Sequence, residues 1–494
     1  MTCDEFWLKI GMQQPQQPVT RLMGSMRTTP DAQVLIIGGG PAGIEAAAKL
    51  VEYGVDDFLI LEDGEQLRGY LEPVEFGGLT FAPGSLWAFT SQEHIDELGL
   101  TYTQTNYDSY TVYNDDGENV TAEAKERESV FFDALKKGLD QVTDDIDKDR
   151  RPDLSYKATL ARGGWIGASA VEKVMEWYNL DFYEGLSPRD ISTIQSYRQK
   201  KDENLSIDEF FILDDRTLGH ILSPQEALIS EDKIILNARA VSVNQKSDED
   251  DYVRVSTEDG NEYVGEYVIV TSTVGVIQNG GLTFEPPLPP WKTEQFCRYQ
   301  MAILEPFFLK FDTKFWDDTE YILHASDRKG YYPAFLNLDA EGYRPGNNIL
   351  IGWLVGDEAY RAELLSDEEV QAEVLEVLRN MYGESNVPDP TEFYMSRFAT
   401  DENLYGTFAS WPIGTNPKDA AMRLRAPVGR VYFAPEDAAD EYIGIPNGSI
   451  MDGIFAATGV TECIQDEDCD EYTPVDDPSC RPLPQSNKRR KIRN

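Results

Sequence analysis

Residues 34 to 50 read V-L-I-I-G-G-G-P-A-G-I-E-A-A-A-K-L. The four apolar residues Val34 to Ile37 have the length and composition of a fully buried strand. Gly38, Gly40 and Gly43 come next at G-x-G-x-x-G spacing, and an alanine-rich helical pattern follows them. Each glycine has its own task in such a unit. Gly38 permits the tight turn out of the strand, Gly40 lets backbone amides approach a pyrophosphate, and Gly43 lets the helix pack closely on the sheet. The pyrophosphate then meets the helix N-terminus, where free N–H groups and the dipole favour negative charge. A second apolar run, Phe58 to Leu61, leads to Glu62, nineteen residues after Gly43. A carboxylate there accepts both ribose hydroxyls and disfavours a 2′-phosphate, so the expected ligand is FAD or NAD rather than NADP.

The whole chain sets outer bounds. Its 494 residues suffice for two or three domains. Lys plus Arg number 44 against 88 Asp plus Glu, a net charge of −44. Such a surface repels phosphate backbones, which argues against nucleic-acid binding by the body of the protein. It also draws in cationic small molecules, and a salt-adapted host would explain it equally. No run of eighteen apolar residues is present, so no membrane span is expected. The opening MTCDEFWLKIGMQQPQQP lacks a basic segment followed by an apolar run, so no secretory signal is evident. Five cysteines are too few and scattered for a disulfide framework, although Cys463, Cys469 and Cys480 leave room for one bridge. The resulting expectation is a soluble intracellular protein, cytoplasmic, with a basic end (Lys488 to Arg493) that would permit nuclear import. His94, His220 and His324 lie far apart, with no H-E-x-x-H or C-x-x-C, so no metal site is expected. Asp214-Asp215 reads as a solvated turn, not an acid dyad.

Strand and helix signals alternate between the ends. Tyr252–Thr257 and Tyr263–Val270 alternate around Asp259-Gly260, which predicts a hairpin feeding a buried strand. Ser366 with Glu369 makes a capping box opening a helix with Val370, Val374, Val377 and Met381 along one face. Segment 123–148 predicts a charged surface helix. The class is α/β or α+β with more than one domain.

Six co-linear stretches carry a family likeness. Besides residues 34–50 they are Tyr267–Thr271 continuing through Val276, L-T-F-E-P-P-L-P-P-W-K (282–292), F-F-L-K-F-D-T-K-F-W (307–316), G-T-F-A-S-W-P-I-G (406–414) and L-R-A-P-V-G-R-V-Y-F-A-P-E (424–436). Through them the chain resembles the flavin-dependent amine oxidases, nearest to the polyamine oxidases, from about Val34 to Ile464. The resemblance implies an α/β fold with FAD as cofactor. Its FAD-binding Rossmann-like domain would be built from 31–108, 223–290 and 425–465. An α+β substrate domain would be inserted between those segments as 109–222 and 291–424; composition alone reads 1–30 as a flexible leader and 466–494 as an acidic, then basic, tail. The resemblance also implies a small-molecule amine and dioxygen as reaction partners. The ADP half of FAD would be held by Gly38, Gly40, Gly43 and Glu62, with Val241 at the adenine and Glu436 near the ribityl chain. Trp87 and Phe408 match aromatic positions of the substrate pocket.

The departures from the family pattern cluster around the flavin ring. The family arginine beside the pyrophosphate is Tyr70 here, in Arg68-Gly69-Tyr70, and Arg68 is the substitute that could reach the phosphate. The family lysine that holds a water near the flavin aligns with Pro306, which has neither charge nor donor. Lys310 lies roughly 13 Å further along the strand, beyond the reach of a side chain. The tyrosine closing the aromatic pair over the amine is Ile445, and the aromatic beside the flavin is Ala399. The carboxylates that grip distant ammonium groups read as Phe89 and Leu186, with Glu184 close by. Two readings follow: an FAD oxidoreductase acting on a C–N bond, or a catalytically impaired FAD-binding protein serving as a scaffold or sensor. A third, loss of FAD altogether, follows if Tyr70 and Pro435 weaken the site enough.

Overall fold

The computed structural model describes residues 30–146, 153–194, 208–245, 252–435, 444–466 and 469. The leader, Glu436 and the basic end lie outside them. One layer is an eight-stranded sheet in the order 283–285, 240–244, 253–257, 262–270, 32–37, 58–61, 234–235, with Val431–Phe433 paired to the end of 262–270. Strand Ala32–Ile37 lies between 58–61 and 262–270 and runs parallel to both. Covered on both faces, it reads as an uninterrupted apolar run, and Val34, Leu35 and Ile36 are fully buried. The hairpin forms at Asp259-Gly260. Asp259 accepts from the Thr257 hydroxyl and the Asn261 amide, and Gly260 takes φ +85°.

Helix Pro41–Glu52 covers one face of this sheet, and helix Pro446–Asp466 lies against it. Their close approach needs Gly453, where a Cβ would stand 2.2 Å from the Ala42 carbonyl oxygen. The bridge Cys463–Cys469 ties the end of that last helix, and Cys297 is disulfide-bonded as well.

A six-stranded sheet forms the second layer, in the order 392–395, 304–310, 349–355, 334–337, 321–325, 110–114. Period-two alternation splits strand Leu304–Lys310 between two cores. Phe307 and Leu309 face the helices, where Val370, Val374, Val377 and Met381 of Asp367–Tyr382 pack, while Phe308 faces an aromatic cluster containing Trp87, Tyr178 and Trp353. The capping box at Ser366 and Glu369 opens that helix, and the charged helix runs Thr121–Ile146. Helices over sheets in this arrangement make the chain an α/β protein. Among the described residues, no helix is long and apolar enough to cross a membrane.

Candidate active site

The glycine turn shapes a crevice at the C-terminal edge of the first strand. Gly38 sits at φ +101°, and a Cβ there would stand 2.4 Å from Thr271 Oγ1. At Gly43 a Cβ would be 1.9 Å from the Gly38 carbonyl oxygen, so only glycine allows the helix this close. The helix begins without a side-chain cap: its N-cap is Gly40 and its first residue is Pro41. First-turn amides therefore remain available to an anion. Glu62 accepts from the amides of Gly39 (2.5 Å) and Gly64 (2.8 Å), one per carboxylate oxygen. Each oxygen keeps a lone pair for a ribose hydroxyl, and burial raises the carboxyl pKa.

These groups line a cavity of about 130 Å³. Gly38, Gly40, Glu62, Gly69 and Tyr70 form one wall; Arg239, Ala240, Thr271 to Thr273 and Glu402 to Leu404 form the other. The uncapped helix, the carboxylate and the bare glycine backbone fit the ADP half of FAD. Val241 lies just beyond Ala240, at a register shift between Ala240 and Ser242 that leaves it out of the antiparallel ladder. Its carbonyl accepts from the Thr283 hydroxyl at 3.1 Å. Arg68 is turned elsewhere: its guanidinium is bidentate on Glu226 at 2.9 and 3.1 Å, whereas Gly69 supplies crevice wall. The carboxylate that holds Arg68, the residue expected to substitute for the phosphate arginine, lies 158 residues away. Tyr70 reaches Ser449 Oγ at 3.3 Å.

A second cavity, about 360 Å³, brings Trp87, Phe89, Phe408 and Ile445 together with Glu184 and Glu209. It shares a wall with the crevice: a Cβ at Gly84, which lines this cavity, would be 2.2 Å from the Tyr70 carbonyl oxygen. Strands Trp87–Thr90 and Asp208–Ile212 pair antiparallel with Phe89 directly opposite Glu209. Glu209 accepts from Tyr107 Oη at 2.6 Å. A π-turn at Trp177–Asp181 widens the helix that ends at Glu184, and Tyr178, Phe182 and Glu184 all line the cavity. Irregular turns of this kind occur often at functional sites. The Phe408 ring lies against Gly444, beside Ile445.

Pro306 pairs across the strand with Trp353, whose indole lines the cavity 5.4 Å from Trp87. The Lys310 ammonium donates to the Gly77 carbonyl at 2.6 Å and is not among the lining residues. Leu186 packs in a separate cluster with Phe131 and Trp165. Glu209 was not singled out by the sequence; its only signal is strand register against Phe89. Among the described residues, no cluster of three or more His, Cys, Asp or Glu could hold a metal.

Residues 41–461 match the pattern of the flavin-containing amine oxidoreductases. The chain belongs to this family. It is 30% identical to polyamine oxidase 1 of Zea mays over 476 residues, covering 90% of this chain and 93% of that one. Polyamine oxidase 7 of Oryza sativa subsp. japonica is also 30% identical, over 86% of this chain and 94% of its own. Among solved structures, putrescine oxidase bound to putrescine superposes with TM-score 0.64 at 18% identity, over 86% of this chain and 98% of that one. That likeness bears on the fold alone. FAD is the cofactor of this family, and an amine and dioxygen are its usual reaction partners.

Proposed function

We propose that this flavoprotein oxidises the C–N bond of an amine that carries a second cationic group. The observation that supports this reading is an aromatic cavity, bearing two carboxylates, that shares a wall with the dinucleotide crevice. Gly38, Gly40, Gly43 and Glu62 would hold FAD, which would supply a hydride acceptor for the carbon beside nitrogen and a route for the electrons to dioxygen. The chain's own residues position and dry the substrate. Trp87, Phe89, Phe408 and Trp353 exclude water around the carbon, and Ile445 closes the wall with aliphatic rather than π surface. Glu209, steadied by Tyr107, and Glu184 attract the distal ammonium and so fix which C–N bond lies at the reaction centre.

Purified protein should show flavin absorption, and anaerobic mixing with a panel of mono-, di- and polyamines should bleach it. E209Q should raise KM for diamines roughly 10- to 100-fold, the value of one hydrogen bond to a charge, while changing monoamine KM little. Equal KM changes for both classes would remove Glu209 from recognition. The second reading, an impaired FAD-binding scaffold or sensor, draws on Pro306, Ala399 and Ile445 standing where the family places a lysine and two aromatics. Yellow protein that no amine bleaches would favour it. Protein colourless even after reconstitution would overturn both.

The bridge Cys463–Cys469 and the bonded Cys297 support maturation in an oxidising compartment over the cytoplasm. Mass mapping without reduction tests this.

A further inference from the structure

On the helix-facing side of strand Leu304–Lys310, next to Pro306, lies Glu305, a fully buried carboxyl. It meets Glu363, at the end of helix Asp357–Glu363 and 6% exposed. Burial and the neighbouring Glu363 carboxylate favour the protonated form of Glu305. Together they take four successive amides of one segment. Glu305 accepts from Arg397 and from Phe398 (2.9 Å); Glu363 accepts from Ala399 (2.8 Å) and Thr400 (2.7 Å).

The segment so held is strained at both ends, with Arg397 at φ +62° and Tyr405 at φ +51°. Such conformations persist where surrounding contacts over-determine them. Its far half is crevice wall: Glu402, Asn403 and Leu404 line the dinucleotide cavity. Glu402 pairs with Arg239 at 2.5 Å, and the Leu404 carbonyl accepts from Thr273 Oγ1 at 2.7 Å.

We propose that Glu305 and Glu363 act as one proton-sharing clamp that positions segment 397–404 against bound FAD, which makes Glu305 a positioning residue for the cofactor. The inference rests on the crevice being the FAD site. Burial and the adjacent Glu363 carboxylate push the Glu305 carboxyl well above its ordinary range. A group raised in the folded state contributes stability at low pH that is lost as pH rises through the raised value. Arg397, Asp367, Asp401, Tyr360 and Tyr394 face the pair from the packed elements; Arg397 donates to the Glu363 carbonyl and to Asp367.

The test combines amide-exchange protection factors for 397–404, in apoprotein and holoprotein across pH, with the FAD dissociation rate. In wild type, protection at 397–400 should fall as pH rises. E305A should lose that protection and release FAD on the order of tenfold faster, with buried amides left unpaired. E305Q keeps one acceptor oxygen, for the amide of either Arg397 or Phe398, and donates to Glu363 through its NH2, so it should keep part of the protection but lose the pH dependence. It also carries the test should E305A fail to fold. Wild-type protection and FAD release in E305A, or an unchanged pH dependence in E305Q, would overturn the clamp. Wild-type protein that takes up no FAD would instead overturn the crevice reading, and exchange on the apoprotein would still decide the clamp.

Discussion

Alanine at Gly43 is expected to yield little folded protein, whereas alanine at Gly40 is expected to yield folded protein without flavin. The two glycines sit three residues apart in one turn, yet their surroundings differ. A Cβ at Gly43 would stand 1.9 Å from the Gly38 carbonyl oxygen, a backbone atom that cannot swing aside. The helix must lift off the strand, at a cost of about 3 kcal/mol or more, the upper end of overpacking. At Gly40 the backbone is ordinary, φ −73°, and the nearest atom to a Cβ is 3.9 Å away at Gly69 Cα. Alanine costs the apoprotein about 1 kcal/mol or less there. The added methyl instead enters the space between Gly40 and Gly69, where the pyrophosphate must meet the helix amides. Losing a hydrogen bond between the pyrophosphate and a helix amide should weaken FAD roughly 10- to 100-fold. Flavin absorbance per chain after dialysis and thermal unfolding of the apoprotein read the two effects separately. G40A retaining flavin with wild-type affinity would remove the pyrophosphate from this turn.

Sequence reasoning reached whatever is local. The strand at Val34–Ile37, the glycine turn, the hairpin at Asp259-Gly260 and the capping box at Ser366 each depend on residues within a few positions of one another. Phe408 and Ile445 came from the family likeness, and the fold places them together. What stayed hidden depends on register and on distant partners. Glu209 faces the cavity because its strand pairs with residues 87–90, some 120 positions earlier, and no periodicity specifies that pairing. Nothing near Arg68 in the sequence announces that Glu226 pairs with its guanidinium. Glu305 reads as a chance acid in an apolar strand, and only the fold brings Glu363 and four amides to it.

Lys292 carries the same lesson and a large expected effect. In the sequence it merely ends the stretch 282–292. In the structure it is fully buried, and its ammonium donates to the carbonyls of Arg423 (2.9 Å), Leu424 and Ala426 (2.6 Å). Those carbonyls end helix Pro417–Arg425, where no intrahelical donor remains and the dipole favours a cation. The Phe433 ring lies 3.8 Å from the ammonium on another side. Burial pushes the pKa of this group down; the carbonyls oppose that, since only the protonated form carries three donors. K292M keeps the stem and removes every donor, leaving buried carbonyls unpaired at about 1–3 kcal/mol each. A total loss of about 3–5 kcal/mol is expected, in line with breaking a buried ionic contact. Denaturant unfolding should show a lower midpoint at unchanged slope. Because Phe433 ends the strand that docks on Val268–Val270 beside the crevice, the same variant should release FAD at lower denaturant than global unfolding requires. Unfolding within about 1 kcal/mol of wild type would mean that water reaches these carbonyls, and the lysine would then be packing rather than a helix cap.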